Sequence, residues 1–116
     1  MLFRSAIAGM LAHFGEGGRD FQWTFHDPVS AGAIGYASYR FSYTSLAPEA
    51  AGGRVCFEGI ARFELQDGAI RRYSEVFDRG MALAQQNFAP ERLSRICRRY
   101  GDALKQRPEW ASHLRT

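Results

Sequence analysis

Tyr73, Glu75 and Phe77 carry the most distinctive chemistry in this chain. They recur at a spacing of two within Ile70 to Asp78, so an extended backbone sends all three side chains to one face. A carboxylate among apolar neighbours has a raised pKa and can act as a general acid or base. A phenol two residues away can orient a ligand or donate a hydrogen bond to a developing oxyanion. The preceding segment, Val55 to Leu65, supplies the surroundings, with Phe57, Gly59, Ala61 and Phe63 on one face and Glu58, Ile60, Arg62 and Glu64 on the other.

Whether the two sets meet depends on the Gln66-Asp67-Gly68 hairpin that joins them. A three-residue loop with Gly68 in a bulge sets Phe63 opposite Arg71, Ala61 opposite Tyr73, Gly59 opposite Glu75 and Phe57 opposite Phe77, and brings Glu75 to the apolar side. A two-residue loop shifts the pairing by one, turns the strand over and leaves Glu75 solvated. Leu65-Gln66-Asp67-Gly68 fits a type I turn followed by a left-handed glycine, which favours the bulged form. In that form the small Gly59 and Ala61 leave room above the sheet for a ligand. Asp78 closes the strand before Arg79 and Gly80; it either borders the mouth of the pocket or caps a following helix, a role Asp fills well.

The other reactive side chains form no constellation. His13, His26 and His113 lie far apart, no pair has metal-ligand spacing, and the cysteines do not supply one, so neither a metal nor a cofactor is expected. Gly15 to Gly18 fails the dinucleotide fingerprint, because Asp20 stands where the third glycine belongs and the stretch follows a helix instead of a strand. Cys56 and Cys97 are too few for a disulfide scaffold and read as buried free thiols in a reducing cytoplasm. Arg92, Arg95, Arg98 and Arg99 surround the apolar stripe Leu93, Ile96, Cys97, Tyr100 and Leu104. With a net charge of only +3, they read as the solvated face of a helix and not as a nucleic-acid surface.

The elements that must position these groups follow from the periodicity. A chain of 116 residues, 46% hydrophobic and 14% aromatic, is one domain with a core of its own. No apolar run approaches the roughly 20 residues needed to span a bilayer. In Met1 to Phe14, residues Phe3, Ile7, Met10, Leu11 and Phe14 recur at helical spacing. Arg4 and the lack of acids would suit a targeting peptide, but the apolar stretch is short and interrupted by Gly9, which favours a docked helix. Phe21 to Asp27 is a strand with Phe21, Trp23 and Phe25 on one face, broken by Pro28 to Gly32. Ile34 to Ser45 is the second strand, with Ala37, Tyr39, Phe41 and Tyr43 sharing a face, and Pro48 to Gly53 is a loop. Met81 to Asn87 forms a short helix and Pro90 opens the last one. The fold class is α+β: a curved antiparallel sheet of about four strands with an N-terminal helix and C-terminal helices.

The order of these elements, with Gly53 to Gly80 reading GRVCFEGIARFELQDGAIRRYSEVFDRG, resembles the SnoaL-like polyketide cyclase group of the nuclear-transport-factor-2-like superfamily, which also includes ketosteroid isomerase. The resemblance covers residues 1 to 100. It implies a cone-shaped fold with an apolar cavity, and residues 90–116 then form a helical extension of a single domain over 1–116. Tyr73 and Glu75 match the strand positions at which such proteins place a polar residue and an acid in the cavity, with Tyr where a histidine is common. Gly59 stands where ketosteroid isomerase keeps a protonated Asp, so steroid isomerisation is not implied. Met1 to Phe14 resembles the family's third helix, and its first two helices and strand have no counterpart. The cone would then be open on one side, and either a partner covers the gap, the gene start is misplaced, or the domain has lost catalysis. The family also implies a homodimer through the outer sheet face, here Glu58, Ile60, Arg62, Arg72, Ser74 and Val76.

Two functions follow as expectations. One is a domain for binding a small apolar molecule, or for dimerisation, with a pocket of Trp23, Tyr39, Phe57, Phe63 and Phe77 bordered by Gly59, Ala61 and Asp78. The alternative is an isomerase or cyclase in which Glu75 moves a proton on a small apolar carbonyl compound and Tyr73 orients it. Neither nucleic acid nor a membrane is an expected partner.

Overall fold

The computed structural model describes residues 18–115. Four strands, β1 (Gly18–Ala31), β2 (Ile34–Ser45), β3 (Arg54–Gln66) and β4 (Ala69–Phe77), form one antiparallel meander in the order β1-β2-β3-β4. Two helices follow, α1 (Arg79–Ala84) and α2 (Pro90–Lys105), with short 3-10 turns at Pro48–Ala50 and Pro108–His113. This is the expected α+β class, a curved four-stranded sheet followed by helices. The helix expected over Met1 to Phe14 lies outside the described residues.

The first strand is longer than its alternating core. It runs through Pro28 because the ladder is irregular between His26 and Val29, where Asp27 takes a positive φ of 53°. A proline cannot donate to the ladder, and this bulge lies on a strand at the end of the strand order, where one is tolerated. The expected break at Pro28 to Gly32 is therefore a bulge followed by a tight turn into β2.

The β3–β4 hairpin corrects the expected pairing. Its loop is the two residues Asp67 and Gly68, both at positive φ (53° and 77°), as the primed hairpin turns require. Gln66 pairs with Ala69 and Leu65 with Ile70, but Glu64 pairs with Arg72, so Arg71 is one extra residue on β4. Beyond this bulge Phe63 meets Tyr73, Ala61 meets Glu75 and Gly59 meets Phe77, each β3 residue facing a position two further along than the three-residue loop would give. The turn is tighter than expected, and the bulge restores the faces. Tyr73, Glu75 and Phe77 share a side with Phe57, Gly59, Ala61 and Phe63. On the opposite face Glu64 draws in Arg62 and Arg71 at 3.2 Å and Arg72 at 3.7 Å.

The inner face is a mosaic of aromatic rings. Trp23, Phe41 and Phe57 form one row across the sheet, and Phe25, Tyr39, Gly59 and Phe77 the next. Tyr39 is 1% exposed and Ala61 and Phe63 are 0% exposed. Phe63 packs edge-on against Phe25 (5.9 Å) and Tyr73 (5.2 Å). Gly59 is glycine because the Tyr39 phenol lies across it. A Cβ there would sit 2.7 Å from Tyr39 Oη and 2.5 Å from the Val76 carbonyl.

Past Phe77 the sheet loses its fourth strand, and α1 covers the end of β3. The Gln85 side-chain amide accepts the Cys56 N–H and donates to the Cys56 carbonyl, both at 2.9 Å, doing for that edge what a neighbouring peptide would do. Cys56, expected to be buried, is exposed, because alternation sends it to the face opposite Phe57; Cys97 is half-buried. Asp78 caps α1 by accepting the Met81 N–H at 2.9 Å. No residue of α2 is fully buried, and among the described residues no helix is long and apolar enough to cross a membrane.

Gly59→Ala should cost about 1–3 kcal/mol of stability, the usual penalty for overpacking a closed core. Urea unfolding measures it, and an unchanged midpoint would show that neither the Tyr39 ring nor the β4 backbone holds its place.

Candidate functional site

Where β4 ends, the inner face of the sheet and the two helices enclose a cleft of about 350 Å³. Phe57 and Phe77 form its floor, their rings stacked with centroids 4.4 Å apart. Leu83 and Tyr100 contribute from the helices and Gln86 from the turn after α1, and Glu75 and Arg79 bring opposite charges to the same space. The Arg79 guanidinium sits over two rings, 5.5 Å from the centroid of Phe77 and 4.8 Å from that of Tyr100.

Glu75 is the reactive group with the best-defined surroundings. Tyr73, two residues before it, donates its hydroxyl to Glu75 Oε2 at 2.8 Å. The Tyr39 hydroxyl is buried and meets no partner at hydrogen-bonding geometry among the described residues. It nevertheless stands close enough to Glu75 to feel that carboxylate. Burial pushes the pKa of both tyrosines well above the ordinary range, the interaction with Glu75 pushes in the same direction, and Arg79 partly opposes it at Tyr39. Both phenols therefore remain protonated donors throughout the neutral range. A carboxylate fixed by one such donor, half-buried and bordering an apolar cleft, can take a proton from a carbon acid or return it.

The residues singled out in the sequence divide into four groups. Phe57, Glu75 and Phe77 line the cleft. Tyr73 stands behind Glu75, and Trp23 packs against Phe41 and Tyr73 in the aromatic wall. Tyr39, Ala61 and Phe63 are closed into the core, not presented to a ligand, and the space expected above Gly59 holds the Tyr39 ring. Asp78 is committed to its cap and is not among the residues lining the cleft.

Sequence reasoning missed Tyr43, Arg79, Leu83, Gln86 and Tyr100 as members of this site. Tyr43 carried a signal, since it alternates in phase with Tyr39 and Phe41. Tyr100 read as core because it falls on the apolar stripe of α2. Arg79 gave none beyond its position after the strand. A larger depression of about 490 Å³ is bordered mainly by Gln22, Thr24, Arg40, Ser42 and Glu58 of the opposite face, with Met81. It lacks a carboxylate seated against a buried phenol. Among the described residues no group of three His, Cys, Asp or Glu side chains gathers closely enough to hold a metal ion.

Residues 4–73 match the model of the SnoaL-like domain. The chain belongs to that family. The match ends at Tyr73, so Glu75, Arg79 and the helical wall of the cleft lie beyond it. Among solved structures, TsrD from Streptomyces laurentii is similar at 25% identity and a TM-score of 0.51, over 72% of this chain and 62% of that one. TerC, crystallised with polyporic acid, is similar at 17% identity and a TM-score of 0.53, over 72% and 62%. A SnoaL-like polyketide cyclase from Agrobacterium tumefaciens is similar at 21% identity and a TM-score of 0.50, over 74% and 67%. The latter two likenesses establish the shared fold. The chain spans 62% of the length of TsrD and of TerC. No curated protein matches it.

The tyrosines predict an alkaline limit to stability. A proton held more tightly in the folded state stabilises fully below the ordinary tyrosine value of 10.0, and that contribution is lost as pH rises towards the higher folded value. The urea midpoint should therefore fall above about pH 10, and in Tyr73→Phe that fall should be shallower. An identical alkaline slope in the variant would mean that Tyr73 is not held protonated by its surroundings.

Proposed function

We infer that this SnoaL-like domain binds a small apolar carbonyl compound over the Phe57–Phe77 stack and that Glu75 moves a proton on it, as an isomerase or cyclase would. The observation that carries this reading is that Glu75 both borders the cleft and accepts a short hydrogen bond from Tyr73. Such a bond holds the carboxylate in one orientation, and Tyr73 becomes a positioning residue for it. Among the described residues no second carboxylate lines this cleft, so proton removal and return would both fall to Glu75, which suits a shift of a proton between neighbouring carbons. We place the protein in the cytoplasm, a reading that the two free cysteines support.

The proton-transfer reading can be tested without the natural substrate. With 2-acetylnaphthalene in D2O, wild type should accelerate exchange of the methyl protons next to the carbonyl, followed by proton NMR. Glu75→Gln should lower that acceleration by about 100-fold or more, the usual share of a general base, while retaining binding. Equal exchange in the variant would exclude Glu75 as the proton carrier. Binding that survives unchanged in both Phe57→Ala and Phe77→Ala would place the ligand elsewhere.

A second reading, self-association through the sheet, is favoured by the apolar side chains on its opposite face. Ile60 and Val76, paired across the β3–β4 ladder, are 55% and 79% exposed, and Val29 and Tyr36 pair beside them. A second copy of the chain would cover them, with the arginines around Glu64 at the rim. Val76→Glu should then shift the protein to monomer in analytical ultracentrifugation; a wild type already monomeric at high concentration would end this reading.

A further inference from the structure

Arg79 has no place in the proton-transfer reading, yet it is the cation among the described residues that line the cleft. Several other arginines are already engaged elsewhere in the molecule. Arg92 meets Glu49 at 2.6 Å, Arg62, Arg71 and Arg72 converge on Glu64, and Arg54 donates to Asp20, Thr44 and Ser42. Among the described residues no carboxylate reaches Arg79 within ion-pair distance, and what holds it is the pair of rings, Phe77 from β4 and Tyr100 from α2. Rings attract a guanidinium through its faces and leave the N–H groups at its edge unspent.

We propose that Arg79 is the anchor for an acidic group, and that the ligand of this cleft is an apolar organic acid bearing a carboxylate. This rests on the reading of the cleft as the ligand site and adds the class of ligand it selects. Three observations converge on a carboxylate. A guanidinium whose faces are occupied offers its planar edge, which matches two coplanar oxygens in a bidentate pair. Arg79 brings one positive charge, and Glu75 lines the same cleft, so a dianionic phosphate would leave charge uncompensated beside a carboxylate. The rest of the wall, Phe57, Phe77 and Leu83, calls for a hydrocarbon body. A ligand lying across the stacked rings has its acid at Arg79 and its remaining carbon framework open to Glu75. The charge of Arg79 is also felt in the interior, since it works against burial and Glu75 at Tyr39.

The test compares two probes of nearly the same shape, 2-naphthoate and 2-acetylnaphthalene, by titration of the amide NMR spectrum of the full chain. Wild type should bind the carboxylate about ten-fold more tightly than the ketone at low salt, and the preference should shrink as salt is added. Arg79→Gln should abolish the preference for the carboxylate over the ketone, and Arg79→Lys should restore part of it, since a lysine keeps the charge but not the fork. Equal affinity for the two probes in wild type would overturn the proposal and leave the cleft reading standing. So would a preference that persists in Arg79→Gln. If neither probe perturbs residues of the cleft, both readings fall together.

Discussion

The candidate site depends on one residue leaving the ladder. At Arg71 the β4 strand takes an extra step that β3 does not, and every side chain after it changes sides relative to an unbroken pairing. Without that bulge the two-residue Asp67-Gly68 turn would send Tyr73, Glu75 and Phe77 to the opposite face, the carboxylate would lie in solvent and the Phe57–Phe77 stack would not exist. The bulge has electrostatic support, because the unpaired Arg71 and its ladder neighbour Arg72 both reach Glu64, which Arg62 also contacts. These pairs are largely exposed, so their net contribution is small. Their geometry nevertheless agrees with the extra residue staying at 71, and the buried pairing of Phe63 with Tyr73 opposes any slip.

Once β4 faces inward, small residues decide what fills the centre. Gly59 and Ala61 open a gap on β3, and the protein fills it with its own Tyr39 ring. A phenol laid across a glycine has its hydroxyl under the neighbouring strand, beside Glu75, where burial keeps it protonated. The space expected for a ligand thus becomes support for the carboxylate, and the cleft lies instead at the end of the sheet. There Gln85 takes over the edge of β3 from the departed strand, and Asp78 starts α1 in the right place to form the cleft wall.

This division explains what the sequence could reveal. Alternation of aromatic residues located all four strands and their faces, because the period of two survives any error in pairing partners. The pairing itself was misread: Leu65-Gln66-Asp67-Gly68 suits more than one turn, and nothing local announces that Arg71 will bulge. The end of β1 was misread for a related reason, since Pro28 usually ends a strand and here only bends one. Glu75 could be singled out because a lone acid in an aromatic strand stands out from its pattern. Arg79 and Tyr100 could not be, because they meet only when α2 folds back, and their contact has no periodicity to betray it.

The same contact bears on how the cleft is held together. α2 offers no fully buried residue: in its stripe Leu93, Ile96 and Cys97 are partly buried, and Tyr100 and Leu104 are 38% and 37% exposed. A helix without a fully buried side chain has a weaker hydrophobic claim on its position than the strands have. The interactions that tie it to the site include the ring of Tyr100 on Arg79 and the ion pair of Arg92 with Glu49, beside which Arg92 also lies over Phe88 at 4.1 Å. The first of these runs through a side chain that lines the cleft, so the wall that α2 provides is coupled to the charge at its mouth. An anion that drew the guanidinium edge towards itself would leave the stacked faces in place, because edge and face are separate parts of the same group. Binding and wall can therefore use Arg79 together, which a lysine in its place, with a single point of charge, would do less well.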